Sequence, residues 1–414
     1  MKRGNQFLLA CIKLWGEDNE EAGKVVRELA ATAPEDVLYS VARDSTLAPV
    51  AYNVLWRRGF LDLLPDPLKE RLRTFYHFTA SRNSIVFRNL KTFLDGAERR
   101  GFPVMLLKGA ALIAGGYYPD QGLRFLSDLD VLVKLKDVGE ADDLLYELGW
   151  NAPTRITLDR QLKSQHHLSI ATTPEGIQVE VHFLLSRLPL NLDLDEMWRR
   201  ARPLQSLSRV AFIPSPEDIL IHLAVNTSMH HTDRLLQQHV KFLADLEALI
   251  HGNEGSAFDW EYVFGTVARA GIEVAVLHPL ALSYKLLDNV KIGDALKNHG
   301  ALDRINGDFL DRLTDDIREG RQIPEMSWMV ARMGEANGFV SRMKVFLRMV
   351  FPKWSEMAEV YPGWAQSRWY FLAYLQRLGH LVITFRPKNF SMAYRAGSVL
   401  REKPGGRKAP SSDH

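Results

Sequence analysis

The sequence predicts an α+β fold, a small mixed β-sheet flanked by an N-terminal and a C-terminal helical region. Three observations carry this. Residues 5–98 and the chain beyond about residue 205 are patterned as helices, and short β-forming runs lie between them, at residues 102–107, 128–135 and 177–183. Glycine or proline stands near each change of pattern. The expected division is a helical region over 1–98, a sheet-bearing core over 99–205, a helical domain over 206–392 and a disordered tail over 393–414. That tail ends in a polar stretch of glycine, proline and serine.

Taken in order, the basic start and short apolar run before Gly16 lack a small-residue cleavage site. They read as a first amphipathic helix rather than a signal peptide. Asp66-Pro67 offers an N-cap with proline in the first turn. Residues 68–95 contain no glycine or proline and carry a partial apolar stripe of Phe75, Phe78, Ile85, Phe87, Leu90 and Leu94, so one long helix is expected there. After Gly101, residues 102–107 have strand length, and Lys108-Gly109 opens a helix through residues 110–114. Residues 128–135 form the second strand and residues 137–148 a helix stopped by Gly149. Residues 167–171 and 177–183 flank Thr173-Pro174-Glu175-Gly176, a type I turn signature, and read as a hairpin. Ser215-Pro216-Glu217-Asp218 marks a helix beginning at Pro216. Further helices are expected over 235–250, 260–270 and 274–287, and in several segments between 309 and 383.

Composition narrows the function. With 46% apolar and 25% charged residues the chain is ordinary for a globular protein of two or three structural units. A formal net charge of +2 supplies no global field for nucleic acid or an anionic membrane. The single cysteine, Cys11, excludes an intramolecular disulfide and any cysteine-built zinc or iron–sulfur site, and it fits a cytoplasmic protein. The most apolar late segment, residues 370–385, is broken by Gln376, Arg377 and His380. It also falls short of the ~20 residues of a membrane span.

The chemistry concentrates between residues 106 and 180. In Ser127-Asp128-Leu129-Asp130-Val131-Leu132-Val133 a strand puts Asp128 and Asp130 on one face and Leu129, Val131 and Val133 on the other. Paired carboxylates suit Mg²⁺, a hard cation that takes oxygen ligands and retains waters and substrate phosphates. Downstream, Glu180 and His182 alternate with Val179, Val181 and Phe183 and bring a third carboxylate.

Strand, Lys108-Gly109, helix, Asp128-Leu129-Asp130 strand, and Glu180-Val181-His182 together resemble the polymerase-β-type nucleotidyltransferase superfamily. The similarity is greatest to the bacterial family of uncharacterised nucleotidyltransferases, with Tyr118, Arg124 and residues 214–218 also matching. Most of the superfamily has Gly-Ser where this chain has Lys108-Gly109; in the subgroup Lys-Gly is usual. The resemblance implies that Asp128, Asp130 and Glu180 seat two Mg²⁺ ions, with Mn²⁺ as an alternative, and are the catalytic residues. It further implies that Lys108, Gly109 and Arg124 bind the nucleotide, an NTP with ATP first in line, and that an NMP passes to an unknown acceptor as pyrophosphate leaves. His182 and Lys241 are candidates for touching the acceptor or supporting the carboxylates.

Competing readings remain at this stage. Arg124 could be a loop arginine paired with Asp120, and Lys241 with Asp245 could be an ordinary ion pair along one helix. His166-His167 and His230-His231, with His222 and Asn226, are better explained by structural or acceptor-binding roles than by zinc. A catalytically silent binding protein of the same fold is disfavoured by the retention of all three carboxylates. An RNA-modifying enzyme is disfavoured by the near-neutral charge.

Overall fold

The structure, a computed structural model, describes residues 2–152, 157–186, 191–229, 235–252, 258–305, 307–321, 347, 350, 351, 357 and 371–384. The chain divides into two units, Met1–Arg304 with Leu313–Gln322, and Ile305–Arg312 with Ile323–His414. In the first unit five helices precede the sheet: Lys2–Gly16 (α1), Glu20–Thr32 (α2), Glu35–Asp44 (α3), Ala48–Arg57 (α4) and Asp66–Arg100 (α5). α1 buries every residue from Phe7 to Ile12, so neighbouring elements cover this helix on all sides there rather than along one stripe.

The 35 residues of α5 form one helix, as the absence of internal proline requires. Its Asp66 lies inside the first turn and Pro65 takes the cap position, with no side-chain cap bond. The buried face is also displaced from the apolar stripe read in the sequence. Leu72, Thr79, Asn83, Val86, Leu90, Phe93 and Ala97 are buried, whereas Phe78 is 54% exposed. Phe78 stacks on Phe125, with ring centroids 6.1 Å apart. Gly101, at φ 77°, ends the helix in the left-handed conformation that glycine adopts without strain.

Among the described residues six strands form one mixed sheet: Val104–Leu106 (β1), Asp128–Val133 (β2), Ala171–Thr172 (β3), Gln178–His182 (β4), Arg202–Pro203 (β5) and Ala211–Ile213 (β6), in the spatial order β3-β4-β2-β1-β6-β5. β1 is antiparallel to β2, and β2 is parallel to β4. Between them run Lys108–Ala114 (α6), Val138–Glu147 (α7), Leu158–Ser164 (α8) and Leu194–Arg200 (α9). The α+β expectation holds. The hairpin forms as expected, with the Gly176 N–H donating to the Thr173 carbonyl at 2.9 Å. Its first strand is cut to two residues, and His167 meets His182 only through an isolated bridge. The reading that the chain turns helical from about 205 is corrected by β6. Its Ala-Phe-Ile run lies parallel to β1, a pairing across about a hundred residues that local periodicity does not encode.

Beyond the sheet follow Pro216–Met229 (α10), Leu235–Gly252 (α11), Trp260–Ala270 (α12), Glu273–Leu287 (α13), Val290–Asn298 (α14), Gly307–Glu319 (α15) and Leu372–Thr384 (α16). α10 starts where the capping signature placed it, the Asp218 N–H donating to Ser215 Oγ at 3.2 Å. Among the described residues no helix is long and apolar enough to cross a membrane. The expected disordered tail, the helical segments between residues 322 and 346, and His230-His231 lie outside the described residues.

Candidate functional site

The site is built on the parallel pair β2–β4. Their register sets Asp128 opposite Gln178, Asp130 opposite Glu180 and Leu132 opposite His182. Neighbouring strands lie about 4.8 Å apart, so the side chains of Asp130 and Glu180, on one face of the sheet, come within reach of each other. The opposite face, with Leu129, Val131, Val179 and Val181, is fully buried. Under the acids, Leu132 packs with Met105, Leu107 and Met197.

The loop entering β2 is held by α5. Asn83 Nδ2 donates to the carbonyls of Gln121 at 2.5 Å and Arg124 at 2.7 Å, and its Oδ1 accepts the Leu126 N–H at 3.2 Å. Arg82 donates to the carbonyls of Leu126 at 2.7 Å and Ser127 at 2.6 Å. Backbone groups of this loop that no ladder satisfies are thus paired by side chains, and the position of Asp128 follows. Arg82 and Asn83 were not singled out from the sequence; a polar residue on the buried stripe of a long helix was the available signal.

Lys108 sits at φ 47°, a left-handed conformation that costs a non-glycine residue on the order of 1–3 kcal/mol and clusters at functional sites. Its Nζ donates to Asp130 Oδ1 at 2.6 Å and lies 3.9 Å from Glu180 Oε2. His182 Nε2 stands 2.9 Å from Asp130 Oδ1 and 3.3 Å from Glu180 Oε2. Ser127 Oγ donates to Asp128 Oδ1 at 2.9 Å. A Cβ at Gly109 would lie 2.5 Å from Leu126 Cδ2, so the Leu126 side chain would have to shift to admit one.

The electrostatics follow from this packing. Burial alone would raise Asp130, but Lys108 and His182 outweigh it and hold the carboxyl below the usual range. Burial works the same way on Glu180, where the His182 hydrogen bond prevails and lowers it. Asp128 lacks such a cation on its own oxygens, so burial and then the charge of Asp130 push it up. His182 is raised: burial would lower it, and its bonds to Asp130 and Glu180 win.

Arg124 and Asp245 meet as a buried pair, 6% and 3% exposed. Arg124 Nε donates to Asp245 Oδ1 at 2.6 Å and its Nη2 to Oδ2 at 2.8 Å, while the Tyr118 hydroxyl donates to Oδ1 at 2.7 Å. Asp245 therefore partners Arg124 rather than Lys241, and Asp120 accepts from Tyr76 rather than from Arg124. Both simple pairings weighed from the sequence are replaced. Lys241 is half-buried, and no hydrogen bond or ion pair joins it to a described residue. Burial, then the charge of Arg124, bring its pKa down to about 8.

Lys108, Gly109, Arg124, Asp128, Asp130, Glu180 and Lys241 all line one cavity of about 230 Å³. A larger cavity, about 330 Å³, is lined from α9, α10 and α12 and contains none of these carboxylates. Its Asp218 is already bonded to Ser215, Arg200 and Tyr262, and the smaller cavity, which holds the clustered carboxylates, is the candidate site. A divalent cation fits the donors there. Three clustered, mostly buried carboxylates face one lysine and one imidazole, and buried charge of that sign is accommodated by pairing or by a metal. Ligand atoms of Asp130, Glu180 and His182 all lie within 4.8 Å of one another.

A model of the family described as "Uncharacterised nucleotidyltransferase" matches residues 32–288, more than half of the chain and all of the site above. The chain belongs to this family. No curated protein and no solved structure matches it. Membership in an uncharacterised nucleotidyltransferase family supports nucleotidyl transfer as the general role and an NTP as the implied substrate.

Proposed function

We propose that the protein transfers an NMP from an NTP, ATP first among them, to a hydroxyl or other nucleophile of an acceptor, releasing pyrophosphate in a Mg²⁺-dependent reaction. The observation that carries this reading is the β2–β4 register, which brings Glu180 beside Asp130 in a cavity that also holds Asp128, Lys108 and Lys241. The acceptor oxygen forms a bond to the α-phosphorus, the bond from that phosphorus to the pyrophosphate oxygen breaks, and the acceptor proton passes to solvent. Two Mg²⁺ ions held by Asp128, Asp130 and Glu180, with Mn²⁺ as an alternative, would neutralise triphosphate charge and acidify the acceptor. Glu180, with its lowered pKa, suits ligation better than proton abstraction. Lys108 and Lys241 supply positive charge for the triphosphate. Arg124, its Nε and Nη2 engaged by Asp245 and its Nη1 by the Phe125 carbonyl, shapes the wall that they share.

The test is pyrophosphate release from each of the four NTPs in the presence of Mg²⁺ and a metabolite extract as acceptor source, compared with an Asp128→Ala/Asp130→Ala variant. Release by the wild type and its loss in the variant supports the reading; equal release from both counts against it.

Lys241 adds a pH dependence of known sign. It is charged below about 8, so ATP affinity should fall as pH rises through that value. Its folded pKa lies below the unfolded ~10.4, so the unfolded chain binds more protons between these values and stability rises with pH across the window. Lys241→Met is expected to abolish both trends, to weaken ATP about tenfold, the size of one charge-assisted bond, and to raise the melting temperature. Unchanged ATP affinity in calorimetry would remove Lys241 from the triphosphate site.

A further inference from the structure

We propose that His182 is itself a metal ligand through Nε2. With Asp130 and Glu180 it would form a mixed imidazole–carboxylate set that selects Mn²⁺ or a similar first-row transition ion over Mg²⁺. The inference deepens the proposed nucleotidyl transfer and rests on that reading for the site's purpose.

The geometry points there independently of the three carboxylates. Glu180 and His182 lie two apart on β4, on the face that Asp130 shares from β2, so strand periodicity aims all three at one point. Nε2 is 2.9 Å from Asp130 Oδ1 and 3.3 Å from Glu180 Oε2. Adjacent donors around an octahedral ion with ligand distances near ~2.1 Å stand about 3.0 Å apart, which these separations match. Asp128 falls outside the group of donors that cluster this closely.

The imidazole is not committed elsewhere. His182 is 2% exposed and its Nδ1 has no hydrogen-bond partner, so Nε2, turned toward the two carboxylates, is its one engaged nitrogen. Its ring is fixed by the rings of His166 and His167, each with its centroid 5.4 Å away. Lys108 Nζ shares the same Asp130 oxygen, so the ion and the ammonium would compete for it, and ion binding frees Lys108 for phosphate. Mg²⁺ takes oxygen ligands and gains little from an imidazole, whereas first-row transition ions bind nitrogen progressively better.

The test uses the full chain titrated with MnCl₂ alone. Free Mn²⁺ is read by EPR, and the bound ion by electron spin echo modulation. A ¹⁴N coupling is expected in the wild type, replaced by a ¹⁵N pattern when histidine is isotopically labelled, retained in His166→Gln and His167→Gln, and lost in His182→Gln. Mn²⁺ affinity in His182→Gln should fall roughly tenfold or more, while Mg²⁺ competition changes little. Bound Mn²⁺ without nitrogen coupling in the wild type, a result that needs no variant to fold, overturns the assignment of His182 and leaves nucleotidyl transfer standing. Failure of both Mn²⁺ and Mg²⁺ to bind, with or without ATP, overturns the assignment together with the metal-dependent reading.

Discussion

Turnover in Asp130→Ala is expected to fall about 10³-fold or more, because several kcal/mol of charge stabilisation depend on the ion that this carboxylate would hold. Asp130 is the point where the site's elements meet. One oxygen takes both Lys108 Nζ and His182 Nε2, and the β2–β4 register fixes it beside Glu180. Its loss should leave the fold in place, since Glu180 remains near Lys108 and His182 and one of three crowded carboxylates is gone. Pyrophosphate release and a circular dichroism melt on the same sample check this. A variant that keeps more than about a tenth of wild-type turnover would remove Asp130 from the reaction.

The opposite pattern is expected of Asp245→Ala, which should lower unfolding free energy by about 3–5 kcal/mol, the cost of stranding one member of a buried ion pair. Arg124 would be left buried with two donors unmatched, and the Tyr118 hydroxyl would lose its acceptor. Urea unfolding measures the loss, and a change under about 1 kcal/mol would show that water or a rearrangement replaces the pair. The double variant Arg124→Met/Asp245→Leu should recover much of the stability, since an apolar pair of similar size removes the desolvation penalty. It also separates two roles for Arg124. A refolded double variant that binds ATP normally makes the arginine purely structural, and one that binds poorly adds it to the nucleotide site.

The contrast between these two aspartates shows what the sequence could convey. Asp128, Asp130, Glu180 and His182 were legible because strand periodicity is local: two residues apart means one face, whatever the partner strand. The α10 start at Pro216 was legible for the same reason, its cap being contained in four residues. Pairings across long separations were not. Arg124 and Asp245 are 121 residues apart, and nothing near either names the other, so nearer neighbours, Asp120 and Lys241, were the partners to consider. β6 was missed because three apolar residues before a proline carry too little pattern to be told from a loop or a helix lead-in. The buried face of α5 was misjudged for a related reason. Phe75 and Phe78 look like core, yet Phe78 is exposed against Phe125, and the less apolar Thr79 and Asn83 are buried. The burial of Asn83 follows from the loop that it holds, a tertiary demand that outweighs hydrophobicity, while the Thr79 hydroxyl bonds back to the Phe75 carbonyl of its own helix. The left-handed Lys108 was equally invisible, because nothing in a Lys-Gly pair marks the lysine as the residue that takes a positive φ.

The most direct measurement follows the two ends of the nucleotide separately. The purified protein is incubated with ATP labelled at the α- or the γ-phosphate, with Mg²⁺ or Mn²⁺ and the acceptor extract. The α-label is expected to enter an acceptor while the γ-label leaves as pyrophosphate, both ceasing in Asp128→Ala/Asp130→Ala. Transfer of the γ-label to an acceptor, or ATP that binds and stays intact with every ion and acceptor, would contradict nucleotidyl transfer at this site.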